Sequence, residues 1–472
     1  MITPTEARVT SARPWLVLSV VLTATFMDLI DATIVSIVLP RIQADLGADF
    51  AAAQWMLAGY SLTFALTLIT GGRLGDIYGR RRIFLIGVAG FTLASIVCGA
   101  AGSPVVLIVA RLVQGLMAAL MVPQVLSVIV IMIEAEKRAK AFALYGAVLS
   151  LANVSGPLLG ALLTQFDVLG LGWRAIFYVN VPIGLFAFIG AARYMPESRS
   201  SHPLRVDLLG IALVSVASFA LMFPLIQGGE LGWPAWSIVM MAAALPVLAL
   251  FAVSQRRAAS PLVPPSLFRQ RSFVVGLVML LILFTGLASL FLVLNYGLQL
   301  GLGWSLIATA LTGLGWPIGI TLTSGIAQRF AATHGRLLIM IGLLIMTAGM
   351  VVLIMLMESD GTGVSYWTIT LPVLGMGLGM GLCVSILTNV ILADVPPDSA
   401  GAGSGVLNAV LQLGAAIGIA VVGALFAASA AGGTGAVLYS AASTTLWYNA
   451  ASFLVAALLA ALLPRAARGP QG

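Results

Sequence analysis

The chain has 472 residues, of which 60% are hydrophobic and only 8% charged, with 23 Lys+Arg against 16 Asp+Glu and a net charge of +7. A soluble domain carries roughly 25% charged residues, so a chain with a mean hydropathy of +1.09 has too little polar surface to cover its own core in water. Apolar content this high, with no G-x-y period among 51 glycines, also excludes disorder and collagen. Apolar runs that are continuous rather than alternating, such as 84–102, exclude a transmembrane barrel. What remains is an all-α polytopic membrane protein, because a helix satisfies its own backbone polar groups in lipid.

Taken in chain order at about 20 residues per span, apolar runs broken by charge or by Pro and Gly predict fourteen helices. They lie near 15–39, 53–72, 83–102, 105–133, 141–164, 174–194, 207–226, 236–254, 273–298, 305–328, 337–357, 366–392, 401–430 and 445–464. The polar stretch 1–14 runs into Trp15 and a full-length span with no A-x-A site, so no cleavable signal is expected. Cys98 and Cys383 fall inside apolar runs and read as small buried side chains, not as a disulfide framework or a metal cluster. The loops alternate: 20 of the 23 Lys and Arg fall in one alternate set, Arg41 and Arg174 in the other, and Arg111 inside a span. This positive-inside asymmetry predicts an even number of spans with both termini in the cytoplasm. The net positive charge is then a topology device that favours anionic lipid, not a nucleic-acid surface.

The chain also reads as a duplication. Spans one to six fill 15–194 and spans nine to fourteen fill 273–464, with two further spans between them flanked by basic, Pro-containing loops. The expected organisation is a six-helix bundle within 1–200, two linking helices and their loops within 201–272, and a second six-helix bundle within 273–472. GGRLGDIYGRRR (71–82) follows the second span, and a weaker echo, SGIAQRFAATHGR (324–336), follows the tenth. Six plus six spans with a repeated loop is an arrangement of secondary transporters.

Asp28, Asp31 and Arg111 are the charged residues set deep in these spans. Each costs at least ~2.5–3.5 kcal/mol at a helix centre unless it faces a wet cavity or a partner. The i, i+3 spacing of Asp28 and Asp31 puts their Cβ atoms about 5–6 Å apart on one helix face. Two carboxylates that close do not readily both carry charge, the property a proton carrier needs; a structural hydrogen-bonding role is the plainer alternative. Arg111 keeps its proton and can hold a carboxylate or a water, or simply form a static ion pair. Asp76 with Arg80, Arg81 and Arg82 sits at a helix end, where Asp76 can meet backbone N–H groups and a neighbouring arginine, while Gly72 and Gly79 permit close approach or a tight turn. A plain charge anchor is the alternative there. Gly156 and Gly160 form a small-xxx-small pair, and Pro157 kinks its helix. Gln54, Trp55, Tyr60, Phe64, Gln114, Gln124, Asn153, Asn295, Tyr296, Gln299, Trp316, Asn389, Asn408 and Gln412 are candidates to line a substrate cavity, since aromatics with a few amides suit bulky amphipathic molecules.

These stretches together resemble the major facilitator superfamily, and within it the fourteen-span drug:proton antiporters. GGRLGDIYGRRR looks like the loop signature of the superfamily; DATIVSIVLPRI (31–42) and ARLVQGLMAA (110–119) look like the first- and fourth-span motifs of the subgroup. GAVLSLANVSGPLLGALL (146–163) looks like the antiporter motif, with Gly146, Gly156, Pro157 and Gly160 in place; WRAIFYVNVPIG (173–184) and AGAGSGVLNAVLQLGAAIG (400–418) are also similar to the subgroup. The resemblance implies the major facilitator fold: two six-helix bundles plus two linking helices. It further implies proton coupling through Asp31, with Asp28 and Arg111 beside it, a latch between the halves at 72–82, and a seal and pivot in the fifth span. The implied activity is export of hydrophobic, drug-like compounds, cations among them, in exchange for protons across a bacterial cytoplasmic membrane. No cofactor beyond the proton gradient is expected, and a monomer is. The alternative is an exporter or permease of one defined metabolite, such as a secondary product or a siderophore. An enzyme is not expected: His202 and His334 fall in loops, and neither H-E-x-x-H, G-x-S-x-G nor a phosphate-binding G-x-x-x-x-G-K-[ST] occurs.

Overall fold

A computed structural model of the chain describes residues 14–199, 206–229, 231–393, 395, 400–430 and 433–463. Among the described residues there is no strand, and fourteen helices are long and apolar enough to cross a membrane. They are α1 (Pro14–Leu46), α2 (Phe50–Tyr78), α3 (Arg80–Gly99), α4 (Pro104–Met132), α5 (Lys140–Gln165), α6 (Gly172–Tyr194), α7 (Leu208–Gln227), α8 (Ala235–Arg257), α9 (Arg271–Gly301), α10 (Leu306–Ala331), α11 (Thr333–Gly363), α12 (Tyr366–Ala393), α13 (Gly403–Ala430) and α14 (Ala436–Leu462).

Local chemistry sets several starts. Asp49 caps α2 by accepting from Ala52 N at 2.6 Å, and Asp207 caps α7 through Gly210 N at 2.9 Å. Ser103 and Ser305 cap α4 and α10. Each satisfies an N–H that the helix itself leaves unpaired. Three elements differ from the sequence expectation. α1 continues past residue 39 through Pro40, Arg41 and Asp45, because charge at a membrane surface does not end a helix that already has its backbone bonds. α14 begins nine residues before the expected 445: its first turns are rich in Ser and Thr, and Ser443 and Thr445 are buried against neighbouring helices. Between α10 and α11 the backbone stays helical from Gly315 to Asp360 except at His334 (φ −127°, ψ 20°), so the reversal there is a local break, not a loop.

Two sets of helices pack chiefly within themselves. In the first, α1 packs on α5 and α6, while α4 packs on both α2 and α3; in the second, α9 packs on α13 and α14, and α12 against α10 and α11. The linking helices α7 and α8 pair with each other, and α7 leans on α2 and α13, at the seam between the sets. The 200/201 boundary expected from the sequence, and the terminal arginines 8, 13, 465 and 468, lie outside the described residues. The sets meet through α2 with α13, α5 with α10, and α1 with α9.

Candidate functional site

α1 carries Asp28 and Asp31 into the first set of helices, where four other helices supply partners. Asp31, 0% exposed, accepts through Oδ2 from Arg111 Nη1 of α4. Its Oδ1 accepts from Gln114 Nε2 of α4 and Asn180 Nδ2 of α6, both at 2.8 Å. Arg111, 1% exposed, donates Nε–H to the Met56 carbonyl of α2 at 3.0 Å and Nη1–H to Gln114 Oε1 at 2.7 Å. Its guanidinium lies 4.3 Å from the centre of the Tyr60 ring. Ser95 of α3 closes the cluster, accepting from Gln114 Nε2 at 2.9 Å and Asn180 Nδ2 at 3.3 Å. One turn away the Tyr60 hydroxyl donates to Asp28 Oδ1. The two aspartates therefore have separate partners, one a guanidinium and the other a phenol. A buried ion pair is tolerated when further hydrogen bonds satisfy its remaining atoms; the Gln114 and Asn180 amides do that for Asp31, and Met56 O and Gln114 Oε1 for Arg111.

Tyr60 and Gln114, expected to line a substrate cavity, instead belong to this network, and Phe64 is buried beside Tyr60 with ring centres 6.2 Å apart. Sequence reasoning passes over Asn180 and Ser95. An amide inside an apolar helix is a usable signal for Asn180; a serine in a helix is no signal. α14 repeats the asparagine without the charge: Asn449 Nδ2 donates to Gly286 O and, at 3.0 Å, to Ser289 Oγ of α9. Among the described residues, the buried Asp and Arg side chains, Asp28, Asp31, Arg73 and Arg111, all belong to the first set of helices.

The fifth-span motif meets the same helix. A Cβ on Gly156 would strike Thr33 Oγ1, and one on Gly160 would stand 2.6 Å from the Ile34 side chain, so glycine at both positions lets α5 lie against α1 within a turn of Asp31. Pro157 sits inside α5 between them. Gly146 has open space around it, so it takes no part in this close approach.

Four more of the expected cavity residues close the end of the molecule opposite the arginine-rich loops. Asn295 Nδ2 of α9 donates to Ser36 O of α1 at 2.9 Å, Gln299 Nε2 to Ile37 O at 2.8 Å, and Tyr296 OH to Gln43 Oε1 at 2.6 Å. Gln54 Nε2 of α2 donates to Ile419 O and Ala420 O of α13 at 2.9 and 3.2 Å. Tyr296 also meets Phe50 edge-on at 5.2 Å and Phe426 at 5.9 Å. Each of these bonds joins one set of helices to the other. α9 turns π-helical at Gly297–Gly301 where it presents Gln299, a departure common at functional positions. Trp316 is buried edge-on against Phe291 at 5.8 Å. Asn153 is exposed, and Asn408 and Gln412 are partly exposed; Asn153 Nδ2 donates to Leu149 O at 2.8 Å and Asn408 Nδ2 to Ser404 O at 2.9 Å within their own helices.

At the other end, hereafter the basic end, the stretch 71–82 is helical except at Gly79, because α2 runs on past the expected 72 to Tyr78, and it binds chiefly to its own set. Asp76 Oδ1 pairs with Arg80 Nη2 at 2.7 Å, and Arg81 donates its side chain to Ala192 O. Glu197, not Asp76, accepts from the Arg81 backbone N–H at 3.1 Å at the start of α3. Gly79 holds φ +109°, and a Cβ there would run into the Glu197 carboxylate, so both the turn and the contact require glycine. Gly72 makes ordinary contact with Pro123; the tight approaches of α2 to α4 are at Gly71 and Gly75. Arg82 is exposed. The bridge between halves expected of Asp76 and Arg80–Arg82 is not made among the described residues in this conformation. Arg73 reaches out instead, donating to Ser260 O at 2.9 Å and to Pro261 O in the loop after α8.

Comparison with known proteins matches residues 21–419 to the family model described as Major Facilitator Superfamily. The chain is 39% identical to a probable actinorhodin transporter of Streptomyces coelicolor, over 88% of this chain and 73% of that protein. It is 35% identical to a tetracenomycin C resistance and export protein of Streptomyces glaucescens, over 88% and 76% of the two chains. Among solved structures, a D-xylose–proton symporter superposes with a TM-score of 0.66 at 16% identity, over 96% of this chain and 98% of that one, which bears on the fold alone.

Proposed function

The chain belongs to the major facilitator superfamily and is a multi-pass membrane transporter, not an enzyme, and from that premise we propose that it exports hydrophobic, drug-like molecules in exchange for protons by alternating access. The observation that carries the reading is the convergence on one helix. α1 holds Asp28 and Asp31 in the buried network, gives Ser36 O and Ile37 O to the bonds that close the end opposite the basic loops, and packs on the α5 glycines through Thr33 and Ile34. A proton arriving at Asp31 weakens its hold on Arg111, and the resulting shift of α1 reaches both the closing bonds and the α5 seam. Relatives named as a probable actinorhodin transporter and as a tetracenomycin C resistance and export protein support efflux as the direction.

The arginine-rich loops argue for a basic end that faces the cytoplasm of a bacterial cell, with both termini there. The conformation described is then closed toward the cell exterior, and the latch at Asp76 and Arg80–Arg82 belongs to a state closed at the basic end. Each entering proton brings ~2.3 kcal/mol per 100 mV and ~1.4 kcal/mol per unit of pH difference. Asn153, Asn408 and Gln412 are the residues proposed to meet the substrate.

The test is drug-dependent proton release from proteoliposomes, screened over a panel of unrelated amphipathic dyes. Release with several dyes, lost in Asp31→Asn, supports the proposal; transport without proton movement sinks it. That these relatives' names each carry one compound favours a second reading, a single secondary product as substrate, which release with one compound of the panel alone would select.

A further inference from the structure

A cavity of about 300 Å³ opens where both sets of helices meet the linking pair, and all of its lining residues are apolar. Ile69 comes from α2, Val214 from α7, Phe251 from α8, Leu277 from α9 and Ala409 from α13. Ile69 is one turn from Arg73, Phe251 is within two turns of the end of α8, and Val274, also in the wall, is one turn from the start of α9. The cavity therefore lies in the leaflet on the basic side.

Its wall is held by polar contacts outside it. Arg73 binds Ser260 O and Pro261 O, and Gln255 Oε1 accepts from Val263 N at 3.1 Å while its Nε2 donates to Asp207 Oδ2 at 2.7 Å. These contacts fix the loop that supplies Leu262 and Val263 to the lining. Around the mouth the chain is strongly basic. Arg256 and Arg257 end α8, and Arg269 and Arg271 flank the segment between the lining residues Phe268 and Val274; all four are exposed.

We propose that this cavity holds one acyl chain of an anionic phospholipid whose phosphate is bound by Arg269 and Arg271. A drug-sized ligand is oriented by a few polar groups in its pocket, and this lining offers none. An acyl chain needs none, and its charged end emerges where the arginines stand. Arginine suits a phosphate because its planar fork can donate two parallel hydrogen bonds. The walls come from both sets and from α7 and α8, so the cavity exists in this shape only while the sets keep this arrangement. A bound lipid favours that arrangement over any in which the walls part. The linking helices then have a task beyond connection: they complete a lipid site.

The test uses the full-length protein purified in detergent and stripped of lipid, with dioleoylphosphatidylglycerol and dioleoylphosphatidylcholine as probes and native mass spectrometry as the readout. The wild type is expected to bind phosphatidylglycerol at least about tenfold more tightly than phosphatidylcholine, a difference of one decade in affinity. Ala409→Phe fills the cavity and is expected to weaken phosphatidylglycerol binding by a similar factor. Arg269→Gln with Arg271→Gln, at exposed positions that do not endanger folding, is expected to abolish the preference between the two lipids. Wild-type binding by a monodisperse Ala409→Phe, or an unchanged preference in the arginine variant, overturns the proposal; if Ala409→Phe fails to fold, the arginine variant decides alone. Undiminished phosphatidylglycerol binding together with lost efflux in Ala409→Phe would assign the cavity to the transported compound and also overturns it.

Discussion

Replacing Asp31 by Asn probes the buried network at its centre. The carboxylate accepts from three N–H groups, Gln114 and Asn180 at Oδ1 and Arg111 at Oδ2. An asparagine offers one oxygen and one NH₂. With its oxygen toward Gln114 and Asn180, its NH₂ faces the Arg111 donor; turned over, the NH₂ faces the other two donors. No orientation keeps the set, and the Arg111 guanidinium, 1% exposed, loses its counter-charge. Removing one partner of a buried pair costs about 3–5 kcal/mol because it leaves an uncompensated buried charge, and neutralising both partners removes that charge. The double variant Asp31→Asn with Arg111→Gln is therefore expected to regain about 2 kcal/mol or more of the loss, within the range for residues in direct contact. Thermal unfolding of the purified proteins measures stability, and dye efflux with drug-dependent proton release in proteoliposomes measures function. Both variants are expected to lack coupled transport, since neither has a carboxylate at 31, while the double variant is clearly the more stable. Wild-type efflux by Asp31→Asn refutes the coupling role, and equal stability of the two variants refutes the energetic argument.

The other sites give distinct signatures. Asp28→Asn keeps an acceptor for the Tyr60 hydroxyl, so its effect on efflux is expected to be smaller than that of Asp31→Asn or to vary with substrate; complete loss of proton coupling by this change alone would move the carrier role to Asp28. Gly156→Leu drives a side chain into Thr33 and parts α5 from α1, and is expected to abolish antiport in a protein that inserts normally, as read by proton release and protease protection. Asn295→Ala with Gln299→Ala removes two bonds worth about 0.5–1.5 kcal/mol each. It is expected to shift the population toward opening at the end opposite the basic loops by roughly 5–150-fold, which spin-label distances across that end would show. Asp76→Asn breaks a partly exposed i, i+4 pair worth no more than ~1 kcal/mol. Insertion is expected to be normal because topology follows summed charge, with efflux reduced through loss of the latch; full efflux would leave the loop as a charge anchor.

Much of this protein is determined by one-dimensional quantities. Fourteen helices, their order and the all-α fold follow from apolar runs long enough to cross a bilayer, because in lipid a backbone must bond to itself. The importance of Asp31 and Arg111 also follows from sequence, since a charge in such a run needs a partner. Which partner it finds does not: Arg111 lies 80 residues from Asp31, and Asn180 and Ser95 join them only because α4 and α6 are folded against α1, and α3 against α4 and α6. The role of polar residues without charge is still less legible. Gln54, Asn295, Tyr296 and Gln299 look like cavity-lining groups in the chain, yet they bond to backbone carbonyls and a glutamine across the two sets of helices. An amide donates equally well to a substrate, to its own helix or to a distant carbonyl, and the choice is made by distance alone. That distance exists only once the helices are packed, which is why the closing bonds, the α1–α5 seam beside the carboxylates and the apolar cavity under the linking pair were decided by the tertiary structure.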